Sequence, residues 1–378
     1  MRLLFVAVFL VFTGISIASN IYTLIPIYHD ISLDLNISST KAVLASSVFS
    51  FCYAIGLLMF GPMSEKFGRK LVIVLGLLCS SITTIIVGLS TSEWLLYLSR
   101  GLQGIALATF APVAFSYTFD LFPAKPRTLV LALINSGFLM AGILGQLVSS
   151  FITDYLSWEY VFYFFGLVYF GLFGIGCVLF PKHVVPSQSR EVLKNMIRLL
   201  KNSLLIKSYL ITFTLLLTFV AFYDGITRYL TNELQVESEV LFAIRGAGLL
   251  GAVLSLFTGK IIAAVGEMKT LKLGLCLTIC SLFPLIILPS PKLIAILSIF
   301  FVASISLLLP SIISFIGKNG GEHRGSALSI YSFTLLTGAS LGPVLAEFLL
   351  FNKLVLLLIG LFTLNLIVGS KLKIKEME

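Results

Sequence analysis

Charge is what this sequence has least of. Only 11% of its 378 residues are Asp, Glu, Lys or Arg, where a soluble domain carries about a quarter. Histidine is nearly missing. The three present, His29, His183 and His323, are scattered over polar segments, which leaves no cluster for a metal site or for acid–base catalysis. No apolar run holds paired carboxylates, so a polytopic membrane enzyme is disfavoured. The five cysteines, Cys52, Cys79, Cys177, Cys276 and Cys280, all fall inside apolar runs and read as packing residues, not disulfides. Cys276 and Cys280 share a helix face, but two thiols without further ligands make a poor metal site. Nothing reads as the soluble output domain a sensor needs, and a single chain does not naturally supply the symmetric ring of a channel.

What is abundant is apolar sequence: 58% of residues are hydrophobic, more than a soluble core can hide. A spanning helix needs about 20 apolar residues. Twelve runs qualify, at residues 3–28, 40–60, 71–89, 93–121, 128–152, 158–180, 204–230, 240–258, 271–288, 293–317, 325–350 and 354–370. They lack the alternating polarity of barrel strands, so the expectation is an all-α membrane protein of 12 spans. The first run starts like a secretory leader, with Arg2 and small residues near Ala18 and Ser19. It is too long for one and continues through Tyr22 and Pro26 to a polar loop at residues 29–34, so it is read as the first span.

The net charge of +9 invites a nucleic-acid reading, which its distribution opposes. With the amino terminus placed inside, 20 of the 26 Lys and Arg fall on inner segments and four, Lys41, Arg228, Lys292 and Lys353, on outer ones. Arg100 and Arg245 lie within spans. This bias puts both termini in the cytoplasm.

Residues 61–70 read GPMSEKFGRK between two apolar runs, a short aqueous loop by composition. The pattern resembles the signature loop of the major facilitator superfamily of transporters, G-x-x-x-D-R-x-G-R-K, with Glu65 for Asp and Lys66 for Arg. In the fourth run, Arg100, Gln103 and Gly104 read R-G-L-Q-G, similar to a second superfamily pattern, R-x-x-Q-G. Their i, i+3, i+4 spacing puts cation, amide and gap on one face. The fifth run carries Gly137, Gly142 and Gly145, but Gln146 stands where some exporters of the family have proline.

The second half repeats the first. Gly259 and Gly266 lie 198 residues beyond Gly61 and Gly68, and Arg324 and Gly342 lie 197 beyond Arg127 and Gly145. Shared offsets in separate segments indicate two related six-span halves. The charges look decayed in the second copy, with Ala263 aligned to Glu65 and Gly317 to Asp120. The resulting domains are residues 1–180 and 204–378, joined by a polar linker at 181–203. In it, residues 191–200 form either a basic amphipathic helix on the inner leaflet or a plain connection.

The resemblance implies two pseudo-symmetric six-helix bundles that alternate access by rocking. It also implies a cytoplasmic gate of Gly61, Glu65, Gly68, Arg69, Lys70, Asp120 and Arg127. In that gate Glu65 meets the start of span 11 near Gly325, where the helix end favours a carboxylate, and Arg69 pairs with Asp120. Spans 1, 4, 7 and 10 would line the substrate cavity, placing Asn20, Arg100, Gln103, Tyr223, Asp224 and Arg245 as its candidates. Asp224, with Arg100, is the candidate for proton coupling. Desolvation and the nearby Arg228 pull its ionisation in opposite directions, so a titrating group and a fixed ion pair both remain open. Three arginines against two acids at depth tilt the cavity positive.

The expected function is secondary transport, as proton-coupled efflux of small organic compounds or as uptake of an organic anion or other small solute by symport. The expected partners are a small-molecule substrate, protons and the bilayer. No cofactor, metal or nucleic acid is expected, and the protein is read as a multi-pass monomer of the plasma membrane.

Overall fold

The computed structural model describes residues 2–181, 192–236, 244, 246–248, 250–370 and 372. Among them there are helices and no strands. The helices are α1 (Arg2–Tyr22), α2 (Tyr28–Asp34), α3 (Ser39–Phe67), α4 (Arg69–Gly88), α5 (Glu93–Leu107), α6 (Ala111–Leu121), α7 (Ala124–Tyr155) and α8 (Trp158–Leu179). They continue as α9 (Val192–Lys201), α10 (Ser203–Arg228), α11 (Ser255–Val265), α12 (Glu267–Leu282), α13 (Pro284–Ile287), α14 (Pro291–Asn319), α15 (Arg324–Phe348) and α16 (Phe351–Ser370). Among the described residues ten segments are long and apolar enough to cross a membrane, or 12 when each of two pairs bent by 41° and 44° is taken as one span. The protein is an all-α, multi-pass membrane protein.

Local chemistry sets the helix ends. Ser38, Ser92 and Ser290 start α3, α5 and α14, each accepting from the N–H three residues on, the usual way to satisfy a free helix donor. Asn202 does the same for α10 through Leu204. Proline breaks two spans: Pro112 follows the interruption between α5 and α6, and Pro284 starts α13 after α12, because it lacks an N–H to donate.

Two stretches read as loops turn out to be helical. Residues 29–34 fall in α2, whose apolar Ile31 is buried. Residues 61–70 are helical except Gly68, the residue between α3 and α4, with φ 94° and ψ 140°. Charged residues do not stop a helix; a backbone position that L side chains rarely adopt does. Gly266 makes the same corner between α11 and α12, with φ 86° and ψ 160°. The repeat seen in the sequence is thus a repeat of backbone geometry.

Apolar side chains fill the core and also cover much of the surface. Leu4, Phe5, Phe51, Phe151, Val178 and Phe348 are exposed, whereas many serines and threonines are buried. Many buried hydroxyls bond within their own helix, as Ser16 to Phe12 O, Thr118 to Ala114 O and Ser311 to Leu307 O, which satisfies them without a partner from lipid. The two tryptophans divide the same way. Trp94 is 79% exposed at the start of α5, while Trp158 is buried and donates Nε1 to Asp34 at 3.1 Å.

The chain forms two compact units that do not follow it without interruption. One comprises Met1–Phe122, Gly137–Val192 and Glu322–Phe333; the other comprises Pro123–Ser136, Leu193–Gly321 and Thr334–Glu378. The start of α7 therefore packs with second-half helices, and the start of α15 with first-half helices. Residues 182–191 of the linker lie outside the described residues; α9, within it, is helical and exposes Ile197 and Leu200.

Gly68→Ala and Gly266→Ala are each expected to cost about 1–3 kcal/mol, because both backbones sit in a region reserved for glycine. Thermal unfolding in detergent reads this as a lower Tm. Gly171→Ala, with nothing within 4 Å of its added Cβ, is the control that leaves Tm unchanged.

Candidate functional site

The polar stretch at the end of α3 meets the first turn of α15 inside the first unit. The first N–H groups of a helix have no acceptor within it. Glu65 supplies one: Oε1 accepts from Ser326 N at 2.9 Å, and Oε2 from Ser326 Oγ at 3.2 Å. A carboxylate is also favoured by the positive end of the helix. The approach depends on glycine. A Cβ on Gly61 would strike Gly325 O and Ser329 Oγ, and one on Gly325 would lie 2.7 Å from both Gly61 O and Glu65 Oε1. With no side chain in the way, Gly61 N donates to Ser329 Oγ at 3.1 Å.

Arg69 opens α4 directly after the Gly68 corner and is buried. Its Nε lies 3.3 Å from Asp120 Oδ2, and its Nη1 donates to Gly61 O and Ser64 Oγ. Asp120, near the end of α6, also takes Arg324 Nη1 on its other oxygen at 3.3 Å. The Arg324 guanidinium covers the Phe119 ring at 4.7 Å. Arg324 begins the helix that Glu65 caps, so one carboxylate joins α4, α6 and α15. Sequence comparison had matched Arg324 only to Arg127; its place next to Gly325 was the available signal.

Two expected members of this group lie elsewhere. Lys70 donates Nζ to Cys177 O at 2.9 Å and Phe180 O at 2.7 Å, satisfying carbonyls at the end of α8. Arg127 stands in the first turn of α7, in the second unit.

In that second unit the ion pair is inverted, not decayed. Glu267, 198 residues beyond Arg69, accepts from Lys318 Nζ at 2.5 Å and from Ser314 Oγ at 2.6 Å. Lys318, not Gly317, takes the place of Asp120. The acid and the base have changed ends, which an alignment keyed to conserved sign passes over. Beside the pair is a cavity of about 320 Å³ lined by Arg127, Thr128, Ala263, Gly266, Glu267 and Lys318, among others.

A second polar cluster fills the first unit. Arg100, Gln103 and Asn20 have no solvent exposure. Arg100 donates to Gln103 Oε1 at 2.5 Å and to Asn20 O at 3.4 Å. Gln103 Nε2 donates to Asn20 Oδ1 and Thr84 Oγ1, both at 2.9 Å, and Asn20 Nδ2 to Tyr169 Oη at 2.5 Å. The guanidinium lies over Phe49 at 4.2 Å and Phe162 at 5.8 Å. Its Nε has no hydrogen-bond partner, and among the described residues no carboxylate pairs with it. Ring faces and amide dipoles therefore hold this cation. Tyr169 stands among apolar neighbours and that was its signal, whereas Thr84 sits in the hydroxyl-rich stretch at residues 80–84, which does not single it out.

The remaining candidates lie in the second unit. Asp224 Oδ2 accepts from Arg228 Nε at 2.8 Å, and Glu347 takes Arg228 Nη1. Asp224 is a third exposed, at 32%. Two acids on one base make this trio net negative. Tyr223 packs its ring on Phe219 and Phe222. Arg245 lies outside the described residues. Among the described residues no group of three His, Cys, Asp or Glu is placed to hold a metal.

A membrane-spanning helical protein with a repeated ionic corner and buried intramembrane charge defines the class of secondary transporters. The family model for the Major Facilitator Superfamily matches residues 4–343, and the chain belongs to that family. A Bacillus subtilis protein described as an uncharacterized MFS-type transporter, YwfA, is 26% identical over 329 residues, covering 85% of this chain and 79% of that one. The quinolone resistance protein NorA of Staphylococcus aureus is 24% identical over 351 residues, covering 91% and 88%. The crystal structure of the Escherichia coli fucose:proton symporter FucP superposes with a TM-score of 0.77 at 14% identity, covering 98% of this chain and 99% of that one. At that identity it speaks for the fold alone. The protein is a secondary transporter.

Asp120→Asn is expected to cost roughly 3 kcal/mol, since it leaves Arg69 buried without its counter-charge. Lys318→Glu places two acids together and lowers Tm; Glu267→Lys/Lys318→Glu recovers most of the loss. A double variant as unstable as the single one counts against the ion pair.

Proposed function

We propose that this transporter exports small organic compounds from the cell in exchange for protons. The supporting observation is its likeness to NorA, a quinolone resistance protein, over most of both chains. A quinolone is accordingly the first probe to try. The bias of Lys and Arg supports both termini in the cytoplasm and a place in the plasma membrane. Asp224 is the group proposed to carry the proton. It is partly exposed, and the guanidinium it binds is shared with Glu347. Protonation of Asp224 would leave Arg228 paired with Glu347, so the base need not stand alone in either state.

Asn20, Arg100, Gln103 and Tyr223 are proposed to serve substrate passage, and Arg245 remains a candidate from sequence. Gly61, Glu65, Gly68, Arg69 and Asp120 are proposed to form the inner gate, with Arg324 and Ser326 added by the contacts of the first unit. Lys70 supports it by fixing the end of α8. The protein is proposed to work as a monomer.

Uptake of an organic anion by symport is the second reading, favoured by the buried Arg100 with its unpartnered Nε. A pH gradient across proteoliposomes separates the two. Quinolone and protons moving in opposite directions establish exchange; movement together, or an organic anion as sole substrate, establishes symport.

Asp224→Asn is expected to abolish gradient-driven quinolone accumulation while leaving exchange of labelled for unlabelled quinolone intact. Glu347→Gln is expected to weaken driven transport without abolishing it. Accumulation that survives Asp224→Asn assigns the proton elsewhere.

A further inference from the structure

α9, near the start of the second unit, keeps one face on the protein and turns another away. Leu199 is buried, whereas Ile197 and Leu200 are 48% and 47% exposed. Arg198 and Lys201 are exposed as well, and among the described residues neither pairs with an acid. At about 100° per residue, Ile197 and Leu200 form one stripe and Arg198 and Lys201 the next, while Leu199 lies opposite Ile197.

The surrounding sequence adds charge of one sign. From residue 192 to residue 223 there are four cations, Lys194, Arg198, Lys201 and Lys207, and no acid. A helix lying in water sets its cations against Glu or Asp one turn away and hides its large aliphatic side chains. α9 does neither.

Its position supplies the reason. α9 ends at Lys201, and the span-forming α10 starts at Ser203. Asn202 between them has an extended backbone, φ −77° and ψ 112°, and its side chain caps α10. α9 is therefore a separate helix held at the mouth of a membrane span, where the headgroups begin. On the Lys and Arg bias, that mouth faces the cytoplasm. A leaflet containing acidic phospholipid offers acyl chain and anionic headgroup side by side, the two chemistries that the two stripes require. A soluble partner would first have to associate, whereas the leaflet is brought to α9 by the span that follows it.

We propose that α9 lies in the interface of the inner leaflet and binds anionic lipid. Ile197 and Leu200 enter the upper acyl region, and Arg198 and Lys201 meet the phosphates. Lys207, half-buried in the second turn of α10, adds to the attraction at the same end. The inference rests neither on the direction of transport nor on the identity of the substrate.

Hydrogen–deuterium exchange on the full-length protein tests it, in nanodiscs of phosphatidylcholine alone and of phosphatidylcholine mixed with phosphatidylglycerol. Amides of residues 196–201 are expected to exchange about 25-fold more slowly in the mixed discs, roughly fivefold for each of Arg198 and Lys201. High salt screens the attraction and is expected to remove most of the difference. Arg198→Gln/Lys201→Gln is expected to bring the rate in mixed discs to that in neutral ones. Ile197→Gln/Leu200→Gln, which removes the apolar stripe but keeps good helix formers, is expected to speed exchange in the mixed discs.

Equal exchange in the two kinds of disc overturns the proposal, as does a slowing that survives Arg198→Gln/Lys201→Gln. Slow exchange in both discs that Ile197→Gln/Leu200→Gln leaves unchanged means that protein contacts hold α9, and overturns it too. Inorganic phosphate added to neutral discs is expected to change nothing; slowing by phosphate alone makes α9 an ion site and overturns the lipid assignment.

Discussion

A carboxylate facing the bare N–H groups of a helix start is the contact on which the first unit turns. Glu65 does more than cap α15. It fixes the register at which Gly61 and Gly325 meet, and that register puts Arg324 within reach of Asp120 and so of Arg69. Remove the carboxylate and each later contact loses its alignment. The ion pairs alone would be weaker organisers, since a charge pair tolerates sliding while two hydrogen bonds to one residue do not.

The Arg100 cluster shows a different solution to buried charge. Arg69 has an acid, but Arg100 has two ring faces, an amide oxygen and a backbone carbonyl. A full ion pair taken out of water regains little of its desolvation cost, whereas a guanidinium over aromatic rings keeps attraction without demanding a second charge. The cluster ties α1, α4, α5 and α8 into one body. It gives a transporter a rigid wall and still retains a cation at depth.

Much of this was legible beforehand because membranes impose simple rules. Run lengths gave the spans, the Lys and Arg bias suggested the topology, and the glycine spacings of residues 61 and 68 against 259 and 266 gave the repeat. The glycines were readable because only one residue type suits those backbones. What stayed hidden depended on partners far apart in sequence. The polar stretch at 61–70 looked like a loop, since composition reports solvent exposure and not hydrogen bonding. Glu267 and Lys318 escaped because pairing is symmetric in sign while alignment is not. Glu347 gave no hint that it would share Arg228 with Asp224, because nothing in its own neighbourhood announces that contact.

The chain's two indoles sit in contrasting surroundings: one is exposed at a helix start, and the other is tethered to a carboxylate across a helix junction. Nature has thereby furnished the molecule with a pair of built-in optical reporters. Emission from Trp94 follows the composition and thickness of the surrounding bilayer, and emission from Trp158 follows the integrity of the contact between α2 and α8. Their separation lets spectroscopy tell a change of solvent from a change of shape.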